Sequence, residues 1–387
     1  ITASNDGHGL SSPNAQSIIQ DSFGNIWIGN YRGGIDFISH TQPLFNTITY
    51  KTEKYGHNCN KQVWGLWADN NRQIWLGGEG ELGIYKEGKE IEIIPLNQCR
   101  LNKQTHISVI HQDKHGDLWL GTHKHGVAIY HPDTKRITCI GDDKDGSLDI
   151  LCFYEDTDGK IWIGTQSGLY SAYNRELTQE DKINRLLTNK GIRSILRDKN
   201  GKLWIGAKGL FLFDDKGQLF QELTTEQSFP IRSVNYLMED SRKRIWVGTN
   251  DGILVFRDAS HLEDYSHYGT KEGLQNTNVR AIQEDHDGTI WLSTNAGISR
   301  LDEKTKTFYN YNHYDGVPMG DFMDGSTCIS TDGILYFGSQ GGACYFTPGE
   351  VNSIRKPAPV TITQFSIYDK QTESKDTEHP LPLTDAN

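Results

Sequence analysis

The chain repeats one short phrase at a nearly constant interval, and no other feature restricts its fold so strongly. Each copy places an aromatic residue just after a tight turn. Successive aromatics are 48, 44, 43, 42, 42, 45 and 45 residues apart. They are Trp27, Trp75, Trp119, Trp162, Trp204, Trp246, Trp291 and Tyr336. A repeat of about 40–50 residues is typical of one blade of a β-propeller. The period therefore predicts an all-β fold, a single propeller of four-stranded blades.

The copies share one order of signals, which we assign to four strands, a to d. Strand a is short and apolar and ends in an Asp, with an apolar residue three positions before that Asp, as Ile195 precedes Asp198. A D-x-x-G turn follows in five copies, where Asp bonds the backbone and Gly supplies the positive φ that closes a hairpin. An "IWIG"-like strand b, a strand c after a second Gly, and a weaker apolar run such as "FNTITY" complete the unit. Radial stacking lets each sheet cover its neighbour, so the eight aromatics are expected in the core.

The number of blades depends on how the ring closes. Eight copies favour eight blades by count, and seven blades remain possible if one terminal copy belongs to a neighbouring ring. Residues 1–4 resemble an outer strand, so we expect them to pair with the last copy and close the ring. That eighth copy has Tyr336 in place of Trp, as terminal repeats that close an array are often atypical.

The repeat pattern stops after Pro348. Alternating apolar residues then run from Val360 to Ile367, and the last residues are polar. We therefore predict a propeller over residues 1–348, and over residues 349–387 a linker followed by the first strand or strands of a truncated β-sandwich domain.

Composition excludes several classes of function. The net charge is −11 with no basic stripe, which argues against direct nucleic acid binding. No apolar run approaches the roughly 20 residues of a membrane helix. Six cysteines form no C-x-x-C pair, and free thiols at Cys152 and Cys328 are favoured over disulfides. The first residue already lies within the repeated sequence, so we expect the chain to be part of a longer protein.

The turns between strands b and c differ in every copy, whereas the a–b turns are nearly uniform. In a meander the b–c turn and the connector from strand d to the next blade emerge on one rim, which we call the variable rim. Recognition usually resides in loops on a rigid scaffold. The candidate ligand-binding residues on this rim are Arg32, Glu79, Glu81, His123, Lys124, His125, Lys208, Asn250, Asp251, Asn295 and Gln340.

The sequence favours binding over catalysis. A glycosidase needs two carboxyl groups in one cleft, but the acids that can be placed recur at turns. "GTQSG" lacks the spacing of a nucleophile elbow, and the acidic stretch 142–149 lacks the Glu that would complete a calcium loop. We predict no catalytic residue, no metal and no cofactor. Two extra aromatics, Trp64 and Trp67, are interpreted as core rather than as a platform for a sugar.

The pattern "D..G.IWIGT..GL" at this period resembles the two-component regulator propeller repeat. "PAPVTITQFSIYD" is similar to the start of the β-sandwich that follows such propellers. The resemblance implies the periplasmic sensor region of a Bacteroidetes hybrid two-component histidine kinase, and it favours seven blades.

The resemblance also implies partners. The expected ligand is an oligosaccharide derived from a glycan, and a second propeller and the β-sandwich are expected in the same membrane-anchored chain. A homodimer is compatible with it. Two alternatives remain: a propeller that serves protein–protein contact or dimerisation with the ligand bound elsewhere, and a polysaccharide lyase or hydrolase.

Overall fold

The structure, a computed structural model, describes residues 10–22, 24–31, 34–38, 40, 43–49, 51–54, 57–60, 62–87, 89–140, 148–173, 175–184, 187, 190–214, 216–225, 229–353, 365–367 and 370–372. Two compact units divide the chain, one over residues 1–348 and one over residues 349–387.

Within these residues, the eight copies of the repeat form one three-stranded sheet, which we call the N-terminal sheet, and seven four-stranded sheets, which we call blades 1 to 7. The N-terminal sheet comprises Ala15–Gln20, Ile26–Asn30 and Gly34–Ile38. Strands a to d are Gly65–Ala68, Ile74–Gly77, Glu81–Tyr85 and Glu92–Pro95 in blade 1; Ile107–Gln112, Leu118–Thr122, Val127–His131 and Arg136–Ile140 in blade 2; and Ile150–Glu155, Ile161–Thr165, Gly168–Tyr173 and Glu176–Gln179 in blade 3.

The remaining blades follow the same order. Their strands are Ser194–Arg197, Leu203–Ala207, Gly209–Phe213 and Leu219–Leu223 in blade 4; Val234–Glu239, Ile245–Thr249, Gly252–Phe256 and Tyr265–Tyr268 in blade 5; Val279–Glu284, Ile290–Thr294, Gly297–Asp302 and Thr307–Tyr311 in blade 6; and Phe322–Ile329, Leu335–Ser339, Gly342–Phe346 and Asn46–Ile48 in blade 7.

The other elements are short. They are the hairpin Lys51–Lys54 with His57–Asn60, the α-helices Asp181–Asn184 and Pro348–Ser353, the 3-10 helices Thr270–Glu272 and His313–Asp315, and in the second unit the hairpin Phe365–Ile367 with Lys370–Thr372. None of the helices among the described residues is long and apolar enough to cross a membrane.

The seven blades close a ring. Strand a of each blade contacts strand a of the next, and strand a of blade 7 contacts strand a of blade 1. The predicted all-β propeller is therefore confirmed, and all eight copies form sheets. Over the described residues, the ring has the seven blades that the resemblance implies rather than the eight that the count favours.

The ring closes with an N-terminal strand, but not with the expected one. Asn46–Ile48 pairs antiparallel with strand c of blade 7, so that Ile48 lies opposite Ala343. The segment "FNTITY" thus completes the last blade rather than the first sheet, and residues 1–4 lie outside the described part of the chain. Joining both ends of the ring in one sheet leaves no open edge at the seam.

The a–b turns explain the repeated Asp and Gly. The turn glycines, such as Gly116 and Gly201, have φ of 88° and 81°. Arg72 and Lys243 replace this glycine in blades 1 and 5, and they take the same left-handed conformation with φ of 59° and 68°. Because a Cβ is disfavoured there, these two turns store backbone strain.

Replacing Lys243 with glycine should therefore stabilise the ring by about 1 kcal/mol, because the left-handed conformation costs a residue with a Cβ about 1–2 kcal/mol and glycine little. The midpoint of urea denaturation measures the change. Lys243→Ala keeps the Cβ and should give no gain, and an equal gain from both variants would contradict the explanation.

The turn Asp has a second function that the repeat pattern does not reveal. Its carboxylate accepts a hydrogen bond from the indole Nε1 of the Trp six residues later, at 2.8 Å between Trp204 and Asp198 and 2.9 Å between Trp246 and Asp240. In blade 7 both members change together, to Ser330 and Tyr336. A phenol in that position has no indole N–H to satisfy, so the carboxylate is not required.

Equivalent side chains are buried in the ring and exposed in the N-terminal sheet. The ring aromatics are at most 6% exposed, whereas Trp27 is 40% exposed. Ile18 and Ile35 of the N-terminal sheet are each 70% exposed, although Leu66, at the position equivalent to Ile18, is 5% exposed. The prediction that all eight aromatics are core is thus wrong for Trp27, because no blade covers that sheet within the described residues.

Candidate ligand-binding cleft

A cleft of about 560 Å³ opens on the variable rim at the centre of the ring. Its walls are the first residues of several a strands, the connectors that lead into them, and b–c turns such as those at His123 and Gln340. Below it, the a strands line a channel that shares Trp64, Arg193 and Asp324 with the cleft. Binding pockets for small molecules commonly have volumes of about 300–1,000 Å³.

One position of the repeat supplies much of the cleft wall. It lies five residues before the turn Asp, where strand a begins. Among the described residues that line the cleft, this position is held by Trp64, Ser108, Leu151, Arg193 and Arg280. The position just before it holds a buried Val or Ile in each of these five blades, so the scaffold stays fixed while this position varies in size and polarity.

Two arginines meet one carboxylate across the mouth of the channel. Arg280 Nη1 of blade 6 donates to Asp324 Oδ1 at 2.7 Å, and Arg193 Nη1 of blade 4 lies 3.8 Å from Asp324 Oδ2. Arg280 is further held by Asn295, whose Oδ1 accepts from Nε at 2.7 Å. Each guanidinium keeps N–H groups beyond these bonds, since arginine has five donors in all.

A buried amide supports this network from behind. Asn235 is fully buried, and its Oδ1 accepts from Arg193 Nη1 at 2.9 Å. Its Nδ2 donates to Asn250 Oδ1 at 2.8 Å and to the Val279 carbonyl at 2.8 Å. Because both ends of the amide are bonded, the Arg193 side chain has a defined orientation toward the cleft.

The opposite wall is aromatic and imidazole-rich. His106 stands edge-on to Trp64, with ring centroids 6.1 Å apart, and edge-on to His123 at 6.3 Å. Asp149 Oδ1 lies 2.9 Å from His123 Nδ1 and accepts the Lys124 backbone N–H at 2.7 Å. Two side chains of this wall, Trp64 and His106, are half-buried, so their rings are held by the fold and remain open to a ligand.

Apolar side chains form the floor of the cleft. Ile150, Phe322 and Met323 line it and are at most 7% exposed. The site therefore combines a buried apolar surface with fixed polar groups around the mouth, which is the usual composition of a small-molecule site.

The rim residues predicted from the sequence have different positions. His123 and Gln340 line the cleft. Glu79, Asn250 and Asn295 contact residues of its wall or support, since Glu79 Oε1 lies 3.8 Å from His106 Nε2. His125 is bonded to the His123 carbonyl, and Lys124 meets Asp149 through its backbone.

The other four predicted residues are not brought into the cleft. Lys208 is exposed in the b–c turn of blade 4, and the Asp251 carbonyl is bonded to His267 Nε2. Glu81 lines a separate cleft beside Tyr85. Arg32 lies outside the described residues.

Neither arginine is among the residues predicted from the sequence, because both lie at the start of strand a and not in a turn. The position five residues before the turn Asp, at the start of strand a, also reaches this rim, and a comparison of the copies at that one position identifies both arginines. Of the two extra aromatics, Trp67 packs against the core as predicted and donates to Gln112 Oε1 at 3.4 Å. Trp64 was assigned to the core but lines the cleft.

No group of three or more His, Cys, Asp and Glu side chains in the described part of the chain is arranged to hold a metal ion. The carboxylates Asp149 and Asp324 at the cleft are each bonded to a cationic or imidazole partner. The geometry thus offers hydrogen-bonding groups in fixed positions.

The chain is similar to known proteins in both its repeat and its fold. The model of the two-component regulator propeller matches residues 9–32, 146–167, 186–209, 228–251 and 273–296. The extracellular domain of a protein described as a hybrid two-component system from B. thetaiotaomicron is 34% identical, with a TM-score of 0.79. The match covers 99% of this chain and 52% of that one, so this chain spans about half of it.

Two further proteins are similar over less sequence or at lower identity. "Histidine kinase P4" of Formosa agariphila is 27% identical over 95 residues, which are 24% of this chain and 7% of that protein. An inactive variant of virginiamycin B lyase from Staphylococcus aureus, solved with quinupristin, is 12% identical with a TM-score of 0.60, covering 78% of this chain and 98% of its own. The lyase shares the fold alone. The repeats, the ring and the 34% identity show that the chain belongs to the two-component regulator propeller family.

Proposed function

We propose that this ring binds an oligosaccharide in the cleft on the variable rim and is the periplasmic sensor module of a membrane-anchored hybrid two-component histidine kinase. The observation that carries the binding proposal is the position five residues before the turn Asp, which varies from Trp to Arg on a constant scaffold and lines one cleft. The kinase and the membrane anchor are proposed from the family and from its relatives.

The charges of the cleft favour a neutral sugar. Arg193 and Arg280 share Asp324, His123 is paired with Asp149, and Asp321 also lines the cleft, so the cations at the mouth are matched by carboxylates. Such pairs bind hydroxyl groups as donor and acceptor at once. The ring of Trp64 offers an apolar face for the C–H groups of a pyranose, and Phe322 adds a buried apolar surface to the lining.

Binding without chemistry fits the cleft better than catalysis. A lyase or hydrolase needs a base or acid free to exchange a proton with the substrate. Three carboxylates line the cleft. Asp324 bonds Arg280, and Asp149 bonds both His123 and a backbone N–H. Asp321 remains as a single carboxylate, whereas a glycosidase uses a pair. We therefore propose a non-catalytic module, in which the carboxylates position the cationic donors.

The N-terminal sheet supports a second role, in protein contact. Its large apolar side chains are exposed, with Ile19 at 67% and Phe37 at 51%. At the equivalent positions of the ring, the side chains pack against the neighbouring blade. We propose that this sheet is a blade of a neighbouring propeller of the same protein, which places a propeller–propeller contact next to the sensor ring. A homodimer is compatible with this arrangement.

Calorimetric titration with neutral and uronate-containing oligosaccharides tests the binding proposal. We expect a neutral oligosaccharide to bind with a Kd between about 1 μM and 1 mM, in the range of −4 to −8 kcal/mol. Arg280→Ala removes donors at the mouth and should weaken binding about tenfold, the loss of roughly one charged hydrogen bond.

Lys208→Ala is the matched control, because Lys208 is a cation on the same rim outside the cleft. It should change the affinity less than about twofold. Equal weakening by both variants, or tighter binding of uronates than of neutral sugars, would contradict the assigned cleft. Product release from any sugar of the panel would contradict the non-catalytic role.

A further inference from the structure

The connector between blades 1 and 2 runs along strand d of blade 2. The Ile137 backbone N–H donates to Gln98 Oε1 at 2.9 Å, and Arg100 Nη2 donates to the Ile140 carbonyl at 2.9 Å. Leu96 and Leu101, on either side of this contact, are buried in one cluster with Ile137. The segment 96–101 is therefore fixed against the strand by apolar packing and by hydrogen bonds at two points.

Two cysteines meet between these points. Cys99 Sγ donates to the Ile137 carbonyl at 3.4 Å. Cys139 lies two residues along the strand from Ile137, hence on the same face, and packs against the same cluster. Cys139 lies near enough to Cys99 to influence it, since partial burial and then the neighbouring Cys139 thiol raise the pKa of Cys99 to about 11.

The pair differs from the other cysteines whose side chains the structure describes. Cys328 and Cys344 are buried in blade 7, whereas Cys99 is exposed and Cys139 half-buried. Cys152 is also half-buried, but it lies in blade 3, where its Sγ donates to the Ile192 carbonyl at 3.7 Å. Cys99 also has a φ of 57°, a left-handed conformation that residues other than glycine seldom adopt. A reagent in solution thus reaches Cys99, and the partner thiol is already beside it.

We propose that Cys99 and Cys139 are joined by a disulfide when the protein is exposed to an oxidant of the disulfide class, such as oxidised glutathione. The Cys99 thiolate attacks one sulfur of the oxidant, forming a mixed disulfide and releasing one glutathione thiolate. The Cys139 thiolate then attacks Cys99 Sγ and releases the second. Two protein thiols lose two protons and two electrons, and one oxidised glutathione becomes two reduced ones.

The bridge joins the connector to the next blade near the cleft. It would close a loop of about 40 residues, a length for which a disulfide restricts the unfolded chain strongly. The connector continues to His106, whose ring lies between Trp64 and His123. The bridge therefore fixes the approach to one wall of the cleft, and this inference stands whether or not that cleft binds a sugar.

Peptide mapping without reduction tests the bridge. The purified chain is treated with oxidised glutathione at mildly alkaline pH, alkylated and digested with trypsin. We expect a linked species of peptides 90–100 and 137–144 that reduction abolishes, and a fall in titratable thiols from six to four. The melting temperature should rise by about 5 °C over the reduced protein, because unfolding entropy is reduced.

Cys139→Ser is the matched control. Serine is close in size to cysteine, so the ring should fold, which near-UV circular dichroism verifies, and five thiols should remain after oxidation. Single alkylation of both cysteines after oxidation of the wild-type chain would overturn the proposal. So would a linked peptide that joins either of them to Cys59 instead, or an unchanged melting temperature in the bridged protein.

Discussion

Replacing Trp204 with alanine is expected to destabilise the ring by about 4 kcal/mol, near the top of the range for single substitutions. Trp204 is fully buried between blades, 5.9 Å from the ring of Phe256 in the next blade. Its removal leaves a cavity in a close-packed interface. It also leaves the Asp198 carboxylate, which is 5% exposed, without the indole N–H that it accepts at 2.8 Å.

Trp27→Ala is the matched control for this prediction. Trp27 has the same place in the repeat and donates to Asp21 Oδ2 at 2.9 Å, but it is 40% exposed. Its loss should cost about 1 kcal/mol or less, because little cavity is created. The midpoint of urea denaturation, followed by far-UV circular dichroism, measures both. Similar losses would show that the repeat position, rather than burial in the ring, sets the energy.

This comparison also explains why the sequence predicts sheets better than it predicts the ring. Turn residues, alternating apolar residues and the aromatic are local signals, and all eight copies carry them. Whether a sheet joins the ring depends on contacts between distant segments. Ile18 and Leu66 have the same place in the repeat, yet one is 70% and the other 5% exposed. A count of copies therefore overestimates the blades by one.

The candidate site is likewise predictable from local signals only in part. The order of the strands predicts which rim carries it, and turn residues such as His123 and Gln340 line the cleft. The Arg280–Asp324 pair could not be derived, because it joins residues 44 positions apart across the mouth. A register irregularity between Phe322 and Thr327 places Asp324 there, and no repeated signal marks it.

Deletion of residues 1–49 should open the ring and destabilise it by about 5 kcal/mol, the loss of two buried apolar side chains with their cavities. Phe45 is 1% exposed and contacts Tyr311 of blade 6 and Phe346 of blade 7, with ring centroids 5.0 and 4.6 Å apart. Ile48 is 4% exposed in the cluster that joins blades 7 and 1. The deletion also leaves strand c of blade 7 as an open edge, which should promote self-association.

Deletion of residues 1–42 is the control, because it removes the N-terminal sheet and keeps the closing strand. Its denaturation midpoint should match that of the full chain within experimental error, and it should be more soluble because the exposed side chains of Ile18, Ile35 and Phe37 are gone. Size-exclusion chromatography and urea denaturation compare the two deletions. If both lose stability equally, the N-terminal sheet supports the ring; if neither does, Asn46–Ile48 is not the strand that closes it, and the last blade is stable with three strands.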